Sequence, residues 1–316
     1  MSEKTIKIGL IGLGNMGRNH LRVLSMLKGV EVAFISDVNA EAAARAGKAY
    51  GIANVVDSAS PFPNVDAVVI CTPTVTHADY IRLAAAHVHN IFVEKPLAAN
   101  YPESLEIYDF VKGNGINLQV GFIERFNPAV QAMKVVLDKS ERIINIDFTR
   151  TNKVSSRITD VDVITDLMIH DIDLAIYING PVCDVSAHGY SHGKMLDFTS
   201  ALLKHENGRF SRIQASRVTD KKMRKIEGTC MDMFVDCDLL RKEIIINRHS
   251  EMKNGDLLPY TISAVQETVS VPPQEALLSE LQAFVSACKS NDWSGVPGVD
   301  SGVEAMKICA DIQQAV

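Results

Sequence analysis

Three groups of residues in this 316-residue chain have types and spacings that could do chemistry. Asp166 and His170 stand four apart within residues 160–178, a stretch whose pattern predicts a helix, so both project from one face. An aspartate so placed can hold an imidazole in one tautomer and raise its basicity, giving a proton acceptor that works near neutral pH. An ordinary helix-surface pair has the same spacing. Lys95 sits in Glu94-Lys95-Pro96, just past a predicted strand at 90–93. An ammonium at that edge could reach a reacting centre; a surface lysine is the other reading. Pro96 fixes the local turn and allows a cis bond. The third group is Gly12-Leu13-Gly14-Asn15-Met16-Gly17, in GxGxxG register.

The glycines need a strand before them and a helix after, and both are predicted. Residues 6–11 are a short Ile/Leu run, and Leu21, Leu24 and Leu27 recur at helical spacing. This strand, turn and helix make a diphosphate cradle. Gly12 allows the tight turn, Gly14 lets the backbone approach the pyrophosphate, and Gly17 lets helix and strand sit close. The helix N-terminus adds free N–H groups and positive dipole. A glycine-rich turn of another α/β protein would look alike. Asp37, however, lies 20 residues beyond Gly17, at the end of a second predicted strand, 30–36. An acid there accepts from adenosine ribose hydroxyls and repels a 2′-phosphate, which favours NAD over NADP. Asp37 or Asn39 could equally cap a helix over 40–50. Arg45, in that helix, is the nearby cation that could soften the preference.

The remaining elements place further candidates. Residues 65–70 form a near-continuous apolar run, as for a strand buried on both faces of a parallel sheet. Its carboxyl end, Thr72-Pro73, faces the ligand crevice. A helix then starts at Thr74 or Thr76 and runs to Ala86, with His77 near its start as a cofactor contact or a partly buried polar residue. A helix over 99–112 and a strand over 117–121 complete the sheet. The domain boundary is expected near Phe122, giving a dinucleotide-binding domain over 1–122 and a second over 123–316 whose last helix packs back on the first. Arg125 sits at the junction, where small-molecule sites form; a structural arginine paired with local acids or carbonyls is the alternative. A helix over 129–138, a strand over 143–150 and a polar stretch with Lys153 and Arg157 precede the Asp166/His170 helix. Strands are then expected at 185–191, 198–205, 210–216, 225–235, 239–247 and 260–271, forming an antiparallel sheet. The charge run 220–225 reads as a solvated edge or turn. Helices over 272–290 and 300–316 close the chain. The fold class is an α/β Rossmann domain followed by an α+β domain on an open, mostly antiparallel sheet. Apolar residues on its uncovered face predict a homodimer or homotetramer.

With Gly12 to Gly17, Thr72-Pro73, Glu94-Lys95-Pro96, and Asp166 with His170 in this order, the chain resembles the Gfo/Idh/MocA family of NAD(P)-dependent oxidoreductases over its whole length. The resemblance implies hydride transfer between a sugar-like secondary hydroxyl and NAD. It makes His170, oriented by Asp166, the proton acceptor and Lys95 the partner of the substrate oxygen, or the same two roles exchanged, since family members differ in which residue takes the proton. It also makes Arg125 part of the active-site margin. It further implies that Asn15, Met16, His77, Glu94 and Pro96 lie along the cofactor. The run from Arg157 through Asp173 is similar to the branch acting on nucleotide sugars, such as UDP-N-acetylglucosamine at its 3-position. There Arg150, Lys153 and Arg157 could meet a diphosphate. A free polyol or monosaccharide is the alternative substrate, and a non-catalytic NAD(H) sensor the alternative function. A sensor would not need Lys95, Asp166 and His170 together.

Bulk properties narrow the classes. A net charge of −6 argues against general nucleic-acid binding. No signal peptide is expected at the start, and no apolar run approaches the roughly 20 residues of a membrane span. The six cysteines are scattered without a CxxC pair, as for reduced thiols in the cytoplasm. No metal is expected, because His170, Asp171 and Asp173 point apart on a helix.

Overall fold

The computed structural model describes residues 4–56, 63–153, 161–191, 193, 195–248 and 265–316. The chain forms two compact units. The first contains the described residues up to Ile123 together with Ala276–Lys307; the second contains Glu124–Glu275 and Ile308–Val316.

The first unit is a doubly wound sheet. It runs β1 (Ile6–Ile11), α1 (Asn15–Met26), β2 (Val30–Ser36), α2 (Ala40–Tyr50), β3 (Val55–Val56), β4 (Ala67–Ile70), α3 (His77–Ala85), β5 (Asn90–Glu94), α4 (Tyr101–Gly113) and β6 (Asn117–Gly121). All neighbours are parallel, in the order β3-β2-β1-β4-β5-β6. β1, β4 and β5 are almost wholly buried, as strands covered on both faces must be. Local sequence sets the helix starts. Asn39 caps α2 by accepting from the Ala42 N–H at 3.0 Å, and Asn100 caps α4 by accepting from the Glu103 N–H at 2.9 Å.

The second unit contains α5 (Pro128–Leu137), β7 (Ile143–Lys153), α6 (Ile169–Asn179), β8 (Val182–Ser191), β9 (Leu196–His205), β10 (Phe210–Ser216), β11 (Val218–Cys230), β12 (Met233–Asp238), β13 (Glu243–Arg248) and β14 (Val265–Val269). The sheet order is β14-β13-β12-β11-β7-β10-β9-β8. Every pair is antiparallel except β7 with β10, which is parallel, so the sheet is mostly antiparallel as expected. α6 lies against β7 and β10, and α5 against β12 and β13. Ile146, Phe148, Ala201, Leu203 and Ile213 are buried on that covered face.

Several elements differ from expectation. The segment expected as one strand over 225–235 is a hairpin, because β11 ends at Cys230 and β12 starts at Met233. Asp232 in its turn accepts from the Glu141 N–H at 3.1 Å. The 220–225 charge run lies inside β11, where the register with β7 slips between Val218 and Met223. Residues 260–264, expected to begin the last strand, lie outside the described residues.

α7 (Ala276–Ser290) departs from a continuous second domain over 123–316. Its stripe of Leu277, Leu281 and Phe284 enters the core formed by Ile8, Leu10, Leu21, Leu24 and Phe92 of the first unit. Phe284 meets Phe92 and Trp293 edge-on at 5.6 and 5.9 Å. Burying each such side chain stabilises by about 2–3 kcal/mol, which fixes the helix there. α8 (Val299–Ala315) has its last residues, from Ile308, in the second unit.

The other face of the second sheet is mixed rather than apolar. Phe210, Leu202 and Phe234 are exposed there. Between them run cross-strand ion pairs, Arg212–Asp147 at 2.9 Å and Lys225–Asp236 at 3.0 Å.

Candidate active site

In the first unit, the carboxyl ends of β1, β2, β4 and β5 converge on a cavity of about 500 Å³. Its lining includes Gly12, Gly14, Asn15, Met16, Asp37, Thr72, Pro73, Glu94 and Lys95. The glycine geometry explains the turn. Gly12 has φ +91°, and a Cβ there would sit 2.5 Å from the Cys71 carbonyl oxygen. A Cβ on Gly17 would sit 1.9 Å from the Gly12 carbonyl oxygen, so α1 approaches β1 only because residue 17 has no side chain. Gly14 has no heavy atom within 4 Å of its would-be Cβ, and as N-cap of α1 it supplies no side-chain bond to the helix. Open space thus lies beside the backbone where this helix starts. That arrangement fits the diphosphate of a dinucleotide.

Asp37 ties the turn to β2. Its Oδ2 accepts from the Leu13 N–H at 2.6 Å and its Oδ1 from the Asn39 N–H at 2.8 Å. The helix cap is Asn39, which leaves Asp37 on the cavity wall. Thr76 Oγ donates to the Pro73 carbonyl at 2.7 Å and lies 2.9 Å from Thr72 Oγ, which shapes the turn after β4. His77 is corrected here: it is not among the side chains lining the cavity. It is buried, with Nδ1 facing the Pro96 carbonyl at 2.8 Å and Nε2 facing the Thr72 carbonyl at 3.0 Å. It joins the loops after β4 and β5, and burial pushes its pKa down. Sequence reasoning passed over Val38, Cys71, Thr76 and Tyr80, which also line the cavity. Val38 and Cys71 could have been found, since each follows a strand at its carboxyl end.

Lys95 follows β5 and is joined to Pro96 by a cis peptide bond. Glu94 is buried. Its Oε1 accepts from His20 Nε2 at 2.7 Å and its Oε2 from the Lys95 N–H at 3.2 Å.

In the second unit, Asp166 lies in a wide, π-type turn over Ile164–Met168, and His170 follows in the first turn of α6. Such turns mark functional sites often. Asp162 starts this segment by accepting from both the N–H and the hydroxyl of Thr165, at 2.8 and 2.7 Å. Asp166 Oδ2 pairs with Arg217 at 3.4 Å. Arg217, which sequence reasoning missed, is buried and also donates to the Asp162 carbonyl at 2.7 Å. The next acids along α6 face inward. Asp171 takes a two-pronged bond from Arg150 at 2.7 Å on both oxygens, and Arg150 reaches Glu124 at 2.9 Å.

The arginine candidates are therefore corrected in part. Arg150 is buried and committed to Asp171 and Glu124, so it does not face a ligand. Arg125 grips Asp173 at 2.6 to 3.1 Å and lies 4.9 Å over the Tyr177 ring, the structural alternative. Lys153 is exposed and pairs with Asp220 at 3.1 Å. Arg157 lies outside the described residues.

A parallel sheet with a glycine turn, an acid after β2 and a lysine after β5 defines a dinucleotide-binding oxidoreductase fold. Residues 6–122 match the model of the oxidoreductase family with an NAD-binding Rossmann fold, and residues 144–231 match the GFO/IDH/MocA C-terminal domain. The chain is 28% identical over 285 residues to UDP-N-acetylglucosamine 3-dehydrogenase of Acidithiobacillus ferrooxidans, covering 89% of this chain and 88% of that one. It is 32% identical over 332 residues to inositol 2-dehydrogenase 2 of Paenarthrobacter aurescens, covering 98% and 96%. The solved structure of the Acidithiobacillus ferrooxidans enzyme superposes with a TM-score of 0.85 at 26% identity, covering 98% and 97%. The protein belongs to the Gfo/Idh/MocA family and is an NAD-binding oxidoreductase.

Proposed function

We propose that the protein oxidises a secondary hydroxyl of a sugar or nucleotide sugar of the UDP-N-acetylhexosamine kind, reversibly, with NAD. The observation that carries this reading is the cavity in which Lys95 and Glu94 stand along one wall with the glycine turn and Asp37. Bound NAD supplies the hydride acceptor. Lys95 hydrogen-bonds the substrate oxygen and stabilises its developing negative charge. His170 takes the hydroxyl proton, held in orientation by Asp166, whose carboxylate is in turn held by Arg217. The nucleotide-sugar substrate is supported by the extended match to the UDP-N-acetylglucosamine enzyme, and an inositol-like polyol by the match to inositol 2-dehydrogenase 2. Of the cations considered for a diphosphate, Arg150 is excluded by its burial, so that role passes to Lys153 and Arg157.

A panel of UDP-sugars and polyols with NAD, followed by NADH absorbance, tests the reading. On the active substrate, Lys95→Ala and His170→Ala should each lower kcat by about 10²-fold or more. Unchanged turnover in both would overturn the mechanism. We further assign the enzyme to the cytoplasm and to a homo-oligomer formed through the open face of the second sheet, where Phe210, Leu202 and Phe234 are exposed. Light scattering of the purified chain tests the second point. Among the described residues no helix is long and apolar enough to cross a membrane.

A further inference from the structure

The strand ends along the cavity fall in sheet order β2, β1, β4, β5. Asp37, after β2, and Glu94, at the end of β5, are thus three strand spacings apart, roughly 14 Å. A dinucleotide with its ribose at Asp37 and its diphosphate at the glycine turn runs toward Glu94 and Lys95 with its nicotinamide.

Glu94 is unusual for a cavity wall. It is only 8% exposed, and both of its oxygens accept hydrogen bonds from inside the protein. His20, on α1, is fully buried and meets Phe92 edge-on at 5.2 Å. Its Nδ1 has no hydrogen-bond partner among the described residues, so the ring proton the structure uses is the one on Nε2, donated to Glu94. Space for the carboxylate comes from Gly121 on β6, where a Cβ would lie 3.0 Å from Oε2. The acid's field reaches its neighbours. Cys71 Sγ, His20 and Glu94 have ligand-type atoms within 4.8 Å of one another. The Cys71 thiol is pushed well above its usual range, by burial first and then by the charges of Glu94 and of Glu280 on α7. Lys95 adds a positive charge to the same wall.

The oxidised nicotinamide ring carries a positive charge and the reduced ring does not. We propose that Glu94, held in place by the buried donor His20, makes this site bind NAD in preference to NADH, so that the bound couple is a stronger reductant than the free one. The inference rests on the reading above that places the nicotinamide end of the cofactor at Lys95. Within it, Glu94 selects the oxidation state and His20 is a positioning residue.

Titration calorimetry with NAD, NADH and ADP-ribose on the full chain decides the matter without any turnover. Glu94→Gln should weaken NAD about tenfold and leave NADH and ADP-ribose unchanged within error. A tenfold change in that ratio is about 30 mV in the potential of the bound couple. His20→Leu should move the ratio the same way, and His20→Gln, whose amide can donate from near the Nε2 position, should keep the wild-type ratio. If Glu94→Gln does not fold, the two His20 variants carry the test. Equal weakening of NAD and NADH, or no change in either, overturns the selection by charge and leaves the cofactor site standing. If the wild type binds ADP-ribose as tightly as both dinucleotides, the placement of the nicotinamide end falls, and the inference with it.

Discussion

Asp37 Oδ2 accepts a 2.6 Å hydrogen bond from the backbone N–H of Leu13, 24 residues earlier in the chain. One carboxylate therefore fixes the glycine turn against the end of β2 while standing on the wall of the cavity. The two roles separate in a variant. Asp37→Ala removes a charge-assisted bond of about 1.5–3 kcal/mol, so affinity for NAD should fall by about tenfold or more. Loss of turn geometry weakens NAD and NADP alike, because both share the diphosphate. Loss of the ribose contact weakens NAD, and loss of the repulsion toward a 2′-phosphate strengthens NADP. The ratio of NAD to NADP dissociation constants should therefore shift toward NADP, and an unchanged ratio would remove Asp37 from the ribose site.

Gly14 and Gly17 should respond oppositely to the same added methyl group. At Gly17 the new Cβ would be 1.9 Å from the Gly12 carbonyl oxygen, so the turn must move. Gly17→Ala should cost about 1–3 kcal/mol of stability, as overpacking does, and abolish NAD binding. At Gly14 nothing lies within 4 Å, so Gly14→Ala should stay within about 0.5 kcal/mol of wild type while NAD affinity falls. Urea denaturation and NAD titration on both variants check the contrast. A loss of stability in Gly14→Ala would mean the turn itself, rather than an approaching ligand, needs that glycine.

The first unit was largely legible because its signals are local. The apolar runs of β1 and β4 and the spacing from Gly17 to Asp37 lie within one or two elements. The choice between the two readings of His77 was not legible, because its partners, the carbonyls of Thr72 and Pro96, come together only when β4 and β5 pair. Arg150 looked like a ligand-binding cation and Arg125 could be read as one or as structural, since nothing in a linear sequence pairs Arg150 with Asp171, 21 residues on, or Arg125 with Asp173, 48 residues on. The 3.6-residue pattern gave the Asp166/His170 helix but not the wide turn at Ile164–Met168, which depends on how Asp162, Thr165 and Arg217 hold its start. The stripe on α7 was read correctly as apolar, yet which core it enters is decided by partners such as Phe92, far away in the chain.

The triad of part-buried Glu124 with buried Arg150 and Asp171 makes Arg150 a strong test of what holds the second unit together. Burial tends to raise the Glu124 carboxyl, but the Arg150 guanidinium overcomes it and holds that carboxyl below its usual range. Arg150→Met leaves two acids buried without their cation and should cost about 3–5 kcal/mol, read by chemical denaturation. Adding Glu124→Gln and Asp171→Asn to that variant should recover part of the loss, since the uncompensated charges are then gone. No recovery would mean that the cost comes from packing of the arginine stem and not from charge.

His77 links pH to the stability of the first unit. Its folded pKa is lowered, chiefly by burial and against the pull of two carbonyls. The unfolded value is about 6.5, so near and below it the unfolded chain takes up the proton more readily. The contribution of His77 is thus full above about pH 6.5 and lost as pH falls through the lower folded value. His205, in the second unit, is shifted in the same direction by burial. Trp293 is the sole tryptophan and packs on Phe284 in the first unit, so its fluorescence reports the unit that holds His77. The midpoint of its thermal transition should fall between about pH 7.5 and about pH 5. His77→Gln, unable to take the proton, should show a shallower fall over the same range. An identical slope in that variant would assign the acid sensitivity to other groups and leave His77 as a strut between two loops.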